Sequence, residues 1–239
     1  MRPALRALLA MTVVALATAA PAGAILNGTP DTAHPYVGIL VTVVDGQRVP
    51  VCSGFLVSPT AFVTAAHCVA DLGAGPAYVS FDQAFTSSSP LRGGTAVPNP
   101  VFSPDAPAHD IALVVLDRPV NNRGSAELPS LGLLNTSAIK DPLTVVGYGA
   151  NGFLKGGTPD FRLVRSYGDA QISKLEKGGF DLKMSSGICF GDSGGPVLLG
   201  SSDVVVGINS FVTSSRCAGH GFAFRLDTVE ALDFLAPYL

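Results

Sequence analysis

The segment GDSGGP, residues 191–196, places Ser193 among residues small enough to allow a tightly folded backbone. A serine hydroxyl is a weak nucleophile until a base removes its proton, and the usual base is a histidine that a carboxylate orients. His67 in the segment TAAHC and Asp110 in the segment HDIAL supply both residue types. In a tight turn, the backbone N–H groups of Gly191 and Ser193 would converge and stabilise an oxyanion. Together these residues predict acyl transfer through an activated serine.

Each of the three residues also has a structural interpretation when it is taken alone. His67 fits a hydrogen-bonded structural histidine, Asp110 fits a turn residue before a strand, and Ser193 fits an ordinary glycine turn. The same serine also fits a different class of hydrolase, because GDSGG matches the G-x-S-x-G turn of α/β-hydrolases. That turn is followed by a helix, and then by an acid and a histidine. Here Pro196 and a strand-like run follow the serine, so we reject the lipase or esterase interpretation.

Strands must position these side chains, because most apolar segments are short and end at turn residues. The sequence lacks the alternation of strands and helices that an α/β fold requires, so we expect an all-β barrel or sandwich. One helix is predicted at the C-terminus, where Asp227 precedes an apolar run and Glu230 stands three positions later, as in a capping box. The predicted strands are Tyr36–Val44, Gly54–Val57, Ala77–Phe81, Ile111–Leu116, Leu143–Val146, Phe161–Val164, Val204–Ile208 and Phe222–Leu226.

Composition and the N-terminal segment narrow the class of protein. The 239 residues are 47% hydrophobic and 14% charged, which allows a large core and argues against disorder. The net charge of −3 gives no reason to expect a nucleic acid or an anionic membrane as partner. Residues 1–24 carry Arg2 and Arg6, a short apolar run and a small-residue cleavage site. They predict an export signal, and hence a secreted, extracellular protein.

Export would place the four cysteines in an oxidising compartment, where an even number favours two disulfides. Three pairings are open. The pairs Cys52–Cys68 and Cys189–Cys217 close the shortest loops, which costs the least chain entropy. Metal binding is the alternative, and it is disfavoured because the cysteine and histidine spacings typical of zinc sites do not occur. We therefore expect no metal and no cofactor.

The motifs TAAHC, DIAL and GDSGGP, in that order, resemble those of the trypsin/chymotrypsin family of serine peptidases. The resemblance runs from about Ile25 to the C-terminal helix, and the two shortest-loop disulfides coincide with bridges of that family. It departs at Tyr148, where the family usually has a tryptophan. It implies an all-β fold of two antiparallel six-stranded β-barrels with a C-terminal α-helix. The implied ranges are about 25–125, about 140–227 and about 228–237, within a peptidase domain of residues 25–239.

The resemblance also implies a role for each residue of the site. His67 would act as general base and then as general acid, and Asp110 would orient it. Ser193 would form the acyl-enzyme, while Gly191 and Ser193 would donate the N–H groups that stabilise the oxyanion.

Precursor activation is common in the family. A freed N-terminal Ile or Val pairs its ammonium with the acid before the nucleophile, which is Asp192 here. The segment ILNG at residues 25–28 resembles that N-terminus, with Leu26 and Asn27 departing from the usual residues. Because small residues precede Ile25, we expect removal of the export signal to expose it directly. The alternative is that ILNG is only the first strand.

The pocket for the side chain before the cleaved bond is expected to be small and uncharged. Gly187 occupies the position of the acid that selects lysine or arginine in trypsin-like members. Ile188 and Val212 add bulk, and Gly221 is expected on the opposite wall. This pattern resembles elastase-like members, which prefer small aliphatic side chains.

The predicted function is therefore that of a secreted serine endopeptidase that cleaves after small aliphatic residues. Ser210, Phe211 and Val212 are expected to pair with the substrate backbone as an added strand. We expect protein or peptide substrates and protein inhibitors as partners, no nucleic acid, no membrane after export, and a monomer. The competing interpretation is a secreted, non-catalytic homologue that binds proteins without cutting them.

Overall fold

A computed structural model describes residues 25–72, 75–104, 108–184 and 187–239. The predicted export signal, residues 1–24, lies outside the described residues. Within the described ranges, no helix is long and apolar enough to cross a membrane. The first described strand, β1 (Thr29–Pro30), precedes the first barrel in the chain but pairs with a strand of the second.

The first barrel is closed and antiparallel, with the strand order β2-β3-β4-β7-β6-β5. Phe55, Phe62 and Leu113 are fully buried in its interior, which matches the apolar runs that predicted strands there. Its strands are β2 (Val37–Val44), β3 (Gln47–Leu56), β4 (Ala61–Thr64), β5 (Pro76–Ser80), β6 (Arg92–Pro98) and β7 (Ala112–Leu116).

The second barrel has the strand order β8-β9-β10-β13-β12-β11, and pairing of β11 with β8 closes it. The prediction of two antiparallel six-stranded barrels is confirmed. Strand β1 is added at β9, where Thr29 lies opposite Tyr167. The strands are β8 (Leu143–Gly147), β9 (Ser166–Leu175), β10 (Gly179–Met184), β11 (Pro196–Leu199), β12 (Val205–Val212) and β13 (His220–Arg225).

The C-terminal helix α1 (Val229–Leu235) confirms the predicted helix, but its cap differs from the prediction. Thr228 is the N-cap, and its hydroxyl accepts a hydrogen bond from the Ala231 N–H at 3.3 Å. Asp227 does not cap the helix because its carboxylate pairs with Arg225 instead. The N-cap therefore lies one residue later than predicted, and the predicted capping box does not form, because the third residue after Thr228 is Ala231.

The predicted strand at Phe161–Val164 is wrong. Only Val164 takes part in β-pairing there, as an isolated bridge to Ala84. Phe161 is half exposed and lines a cavity of the cleft together with Leu163. Phe161 and Leu163 therefore line a surface groove and do not form a barrel strand.

A buried polar network joins the two barrels beside the cleft. Arg165, just before β9, donates to Asp31 at 3.0 Å, to the Val37 carbonyl at 3.1 Å and to the Tyr148 hydroxyl at 3.2 Å. The Tyr148 hydroxyl donates in turn to the Asp82 carbonyl at 2.7 Å. Because these groups are buried and mutually paired, the network fixes one relative placement of the barrels.

Candidate active site

The pairing of β4 with β7 brings His67 and Asp110 together. Thr64 at the end of β4 lies opposite Ala112 at the start of β7, so the residues just beyond these ends share one edge of the barrel. His67 lies in the 3-10 turn Ala66–Cys68 that follows β4. Its Nδ1 is 2.8 Å from Asp110 Oδ2, and its backbone N–H donates to Asp110 Oδ1 at 3.0 Å. Asp110 therefore holds the imidazole ring in one orientation.

Asp110 is a buried anion that also contacts the second barrel. Its side chain is 2% exposed, and the hydroxyl of Ser210 on β12 donates to Asp110 Oδ2. Burial opposes the charge on Asp110, but the hydrogen bonds from His67 and Ser210 and the attraction to His67 outweigh it. They lower the pKa of the Asp110 carboxyl below its ordinary value. The carboxylate stays charged at neutral pH.

Ser193 lies across the cleft, in the loop between β10 and β11. The next residue, Gly194, has a φ of 83°, and a Cβ there would overlap the Thr64 hydroxyl, so only glycine fits. Ser193 and His67 line the same cavity. Within the described chain, however, no hydrogen bond joins their side chains, because Ser193 Oγ donates to the Ser210 carbonyl at 3.1 Å.

The peptide groups before Asp192 are held by bonds to both barrels. The Phe190 carbonyl accepts the Ala150 N–H at 2.8 Å, so the N–H of Gly191, on the opposite side of the same peptide plane, points away from Ala150. The Gly191 carbonyl accepts the hydroxyl of Ser53 at 2.8 Å, and Ser53 Oγ accepts the Tyr148 N–H at 2.9 Å. Ser53 thus bridges β3 and the nucleophile loop.

Sequence analysis overlooked Ser53. It is fully buried and lies next to Cys52 within the apolar run VCSGFLV. A hydroxyl at such a position must find partners inside the protein. The sequence therefore indicates that Ser53 has partners, but only the fold shows that they are Gly191 and Tyr148.

Asp192 is fully buried beside the site. Its carboxylate accepts the Gly149 N–H at 2.7 Å and the Cys189 N–H at 2.8 Å. Burial raises the pKa of Asp192 to about 7, and the two N–H donors only partly offset this. No cationic side chain of the described residues pairs with it. Ile25 is also fully buried, in the apolar cluster of the second barrel that contains Leu134.

A cavity of about 220 Å³ opens beside Ser193. Ile188, only 2% exposed, forms part of its wall, and its Cδ1 would be 2.7 Å from a Cβ placed on Gly221. Gly221 therefore packs behind Ile188, and neither it nor Gly187 is among the residues that line this cavity, whereas the sequence predicted Gly221 in the opposite wall. The lining residues are His67, Ile188, Cys189, Phe190, Ser193, Asn209, Ser210, Phe211 and Val212.

Comparison with known proteins decides the family. The family model described as Trypsin matches residues 25–232. The chain belongs to the trypsin family. It is 28% identical over 194 residues to a collagenase of Hypoderma lineatum, and the alignment covers 77% of this chain and 74% of that protein. It is also 28% identical over 211 residues to a trypsin of Saccharopolyspora erythraea, and that alignment covers 79% of this chain and 85% of that protein.

Solved structures agree with the trypsin-family assignment. The structure of HL collagenase superposes with a TM-score of 0.71 at 25% identity, and the match covers 89% of this chain and 97% of that one. The structure of GrC superposes with a TM-score of 0.67 at 21% identity, covering 89% and 98%. The second likeness concerns the fold alone.

Two disulfides frame the site of this trypsin-family chain. Cys52–Cys68 ties β3 to the turn that carries His67, and Cys189–Cys217 ties the nucleophile loop to the segment before β13. The pairing with the shortest loops is the one present. The two sulfurs of the first bridge lie within 4.8 Å of a His67 ring nitrogen. Because both are in a disulfide, neither is a free thiolate that could bind a metal.

A second cavity, of about 450 Å³, is also lined by His67 and Ser193. Its walls are largely apolar. They include Ile39 and Val51 from the first barrel and Phe161 from the loop before β9. His67 and Ser193 thus line both cavities.

Proposed function

We propose that this trypsin-family chain is a secreted serine endopeptidase that cleaves after small aliphatic residues. One observation carries the proposal. His67, Asp110 and Ser210 form a hydrogen-bonded group across the barrels, and Ser193 lines the same cavity. The similar proteins, a collagenase and a trypsin, support proteins or peptides as the substrate class.

The proposed reaction uses His67 twice. Its Nε2 takes the proton of the Ser193 hydroxyl as the oxygen attacks the peptide carbonyl, and Asp110 stabilises the resulting imidazolium through Nδ1. The N–H groups of Gly191 and Ser193 stabilise the oxyanion. His67 then gives its proton to the leaving amine. Water, activated by the same ring, releases the acyl group from Ser193.

Substrate binding is proposed to complete this arrangement. An extended peptide would pair with the segment Ser210–Val212 and donate its own N–H to the Ser210 carbonyl, which Ser193 Oγ contacts now. The Ser193 hydroxyl then reaches His67 by rotation about a single side-chain bond. Long or poorly aligned catalytic contacts in a free enzyme commonly tighten in this way.

The size preference follows from Ile188 and Val212. Both are aliphatic and line the 220 Å³ cavity beside Ser193. A substrate lysine or arginine would be buried there without a carboxylate to pair with, which is costly. Alanine or valine needs no such partner.

Activation is proposed to couple Ile25 to Asp192. Export would remove residues 1–24, and the freed ammonium of Ile25 would pair with the Asp192 carboxylate. The proposal is supported by the burial of both residues and by the lack of a cationic partner for Asp192 in the described chain. N-terminal sequencing of the secreted protein tests it, because a start at Gly23 or earlier contradicts it.

Cleavage of matched peptides tests the proposed activity. We expect faster cleavage after Ala or Val than after Phe or Arg, and a loss of about 10⁴-fold or more in Ser193→Ala. Ser125→Ala, at an exposed position, serves as the control and should cleave like the wild type. A folded wild-type protein that cleaves none of the peptides would instead support the non-catalytic binding protein. The Ser193 hydroxyl, which points to Ser210 and not to His67, favours that second candidate.

A further inference from the structure

Asn209 carries a buried amide without a hydrogen-bond partner. Its side chain has 0% exposure, and neither Nδ2 nor Oδ1 is hydrogen-bonded to any residue in the described part of the chain. Buried polar side chains are nearly always paired in folded proteins, because an unpaired one has given up its hydrogen bonds to water. The amide of Asn209 is therefore suited to a partner that the folded chain itself does not supply.

The position of Asn209 indicates where such a partner would lie. Asn209 is in the wall of the 220 Å³ cavity beside Ser193. Its carbonyl accepts the Gly194 N–H at 2.7 Å, and its N–H donates to the Gly195 carbonyl at 2.9 Å. Its opposite residue on β13 is Ala223, whose methyl group offers no hydrogen bond. These backbone bonds hold the main chain of Asn209 next to the nucleophile loop.

The Asn209 amide is a polar group beside aliphatic side chains in the wall of this cavity. Ile188 and Val212 give the wall an aliphatic character. Pockets of this kind owe their selectivity to the few polar groups placed among apolar ones. A neutral carboxamide can donate one hydrogen bond and accept another, but it cannot offset the charge of a buried carboxylate or ammonium.

We propose that Asn209 selects the side chain before the cleaved bond, and that the preferred side chain is small, uncharged and carries a hydroxyl or a carboxamide. The inference rests on the proposed peptidase function and changes its expected preference: alanine and valine are still cleaved faster than phenylalanine or arginine, but side chains of the same size that can hydrogen-bond are cleaved faster than aliphatic ones. Ile188 and Val212 limit the size of the side chain. Asn209 chooses, among side chains of that size, those that can hydrogen-bond. Threonine is thus favoured over valine, and asparagine over leucine.

Two pairs of peptides that differ only at this residue test the proposal. Threonine and valine have nearly the same shape, and so do asparagine and leucine. We expect kcat/KM to be at least about tenfold higher for the polar member of each pair in the wild type, because the alkyl member leaves the amide unpaired. In Asn209→Leu, which keeps the volume and removes the hydrogen bonds, both ratios should fall to about one or below. A wild-type preference for valine and leucine overturns the proposal, as do ratios that Asn209→Leu leaves unchanged.

Asn121→Leu is the matched control, since it makes the same chemical change at an exposed position. Its two ratios should equal those of the wild type. If Asn209→Leu fails to fold, the wild-type ratios still decide, because they need no variant. Failure of the inference can be told from failure of the proposed function. Faster cleavage after valine and leucine would contradict only the role of Asn209. A wild type that cleaves no peptide and does not react with fluorophosphonates would contradict both the inference and the peptidase function.

Discussion

Ser53 links the two barrels through a single hydroxyl. It donates to the carbonyl of Gly191 and accepts the N–H of Tyr148. The peptide group that follows Gly191 is thereby held from the first barrel, close to the proposed oxyanion site. Electrostatic stabilisation of an oxyanion depends on donors that are already in place before the reaction. A positioning role for Ser53 follows from this geometry.

Removal of the Ser53 hydroxyl should therefore slow the reaction and leave substrate binding nearly intact. We expect Ser53→Ala to lower kcat about tenfold with little change in KM, because the loss falls on the transition state. Steady-state kinetics on a good peptide substrate measure both constants. Ser80→Ala, which removes another fully buried serine on β5, is the control and should retain kcat. Equal kcat values for Ser53→Ala and the wild type would rule out the positioning role.

Asp110 permits a second test at the level of one residue. In Asp110→Asn the side chain keeps its shape, but an amide cannot stabilise an imidazolium or hold His67 in the required tautomer. We expect kcat to fall about 10⁴-fold while the protein remains folded. Kinetics and circular dichroism together check this expectation. A fall of less than tenfold would mean that His67 works without its carboxylate.

The strands and the helix show which elements the sequence could predict. Runs such as Ile111–Leu116 are rich in branched residues and form β7, whereas the sequence does not predict the more polar β9, in which only three of ten residues are buried. The cap of α1 was placed on Asp227 because local sequence does not reveal the distant Leu134 N–H and the nearby Arg225 that occupy that carboxylate. Long-range partners decide such details.

The His67, Asp110 and Ser193 motifs could be recognised because a chemical role fixes their residue types. Ser53 and Asn209 acquire their importance only from the contacts of the folded chain. The Ser53 hydroxyl has two distant backbone partners, and the Asn209 side-chain amide has none among the described residues. Neither fact can be read from neighbours in the sequence.

The segment before β9 carries two arginines in very different surroundings. Arg165 is buried with Asp31, at 4% and 1% side-chain exposure, whereas Arg162 pairs with Asp160 at 50% and 22%. We expect Arg165→Leu to lower the free energy of unfolding by about 3–5 kcal/mol, because it removes the guanidinium from the buried Asp31 carboxylate, which then keeps only the His34 ring and backbone N–H groups as partners. Arg162→Leu, the matched control, should cost less than about 1 kcal/mol. Urea unfolding measures both values, and equal losses would show that the buried network does not stabilise the fold.

At the scale of the whole molecule, the site depends on contacts between two separately closed barrels. The hydroxyl of Ser210 from the second barrel reaches Asp110 of the first, and Ser53 of the first reaches the loop of the second. Asp192 is the remaining buried charge of that loop. Because Asp192 is buried, its charge affects the stability of the whole chain, and the same carboxylate is the proposed partner of the Ile25 ammonium in activation.

The raised pKa of Asp192 predicts how the stability of the uncleaved chain changes with pH. The pKa is about 7 in the folded state against 3.8 as the ordinary value, so the folded chain holds this proton more tightly. The contribution of Asp192 to stability is therefore fully present below about pH 4 and is lost as the pH rises through about 7. We expect Asp192→Asn to weaken the decline in stability between pH 5 and pH 8. Unfolding of chains that keep residues before Ile25 measures this, with Asp45→Asn in an exposed turn as control. An identical decline in Asp192→Asn and the wild type contradicts the assignment.

The nucleophilic role of Ser193 is tested most directly by mass-spectrometric mapping of a fluorophosphonate adduct on the secreted protein. We predict a single adduct on the peptide that contains Ser193, absent in Ser193→Ala and strongly slowed in His67→Ala, because only a serine activated by a base reacts readily. Equal labelling of the wild type and Ser193→Ala, or no labelling of a folded wild type, would contradict a mechanism through an acyl-enzyme on Ser193.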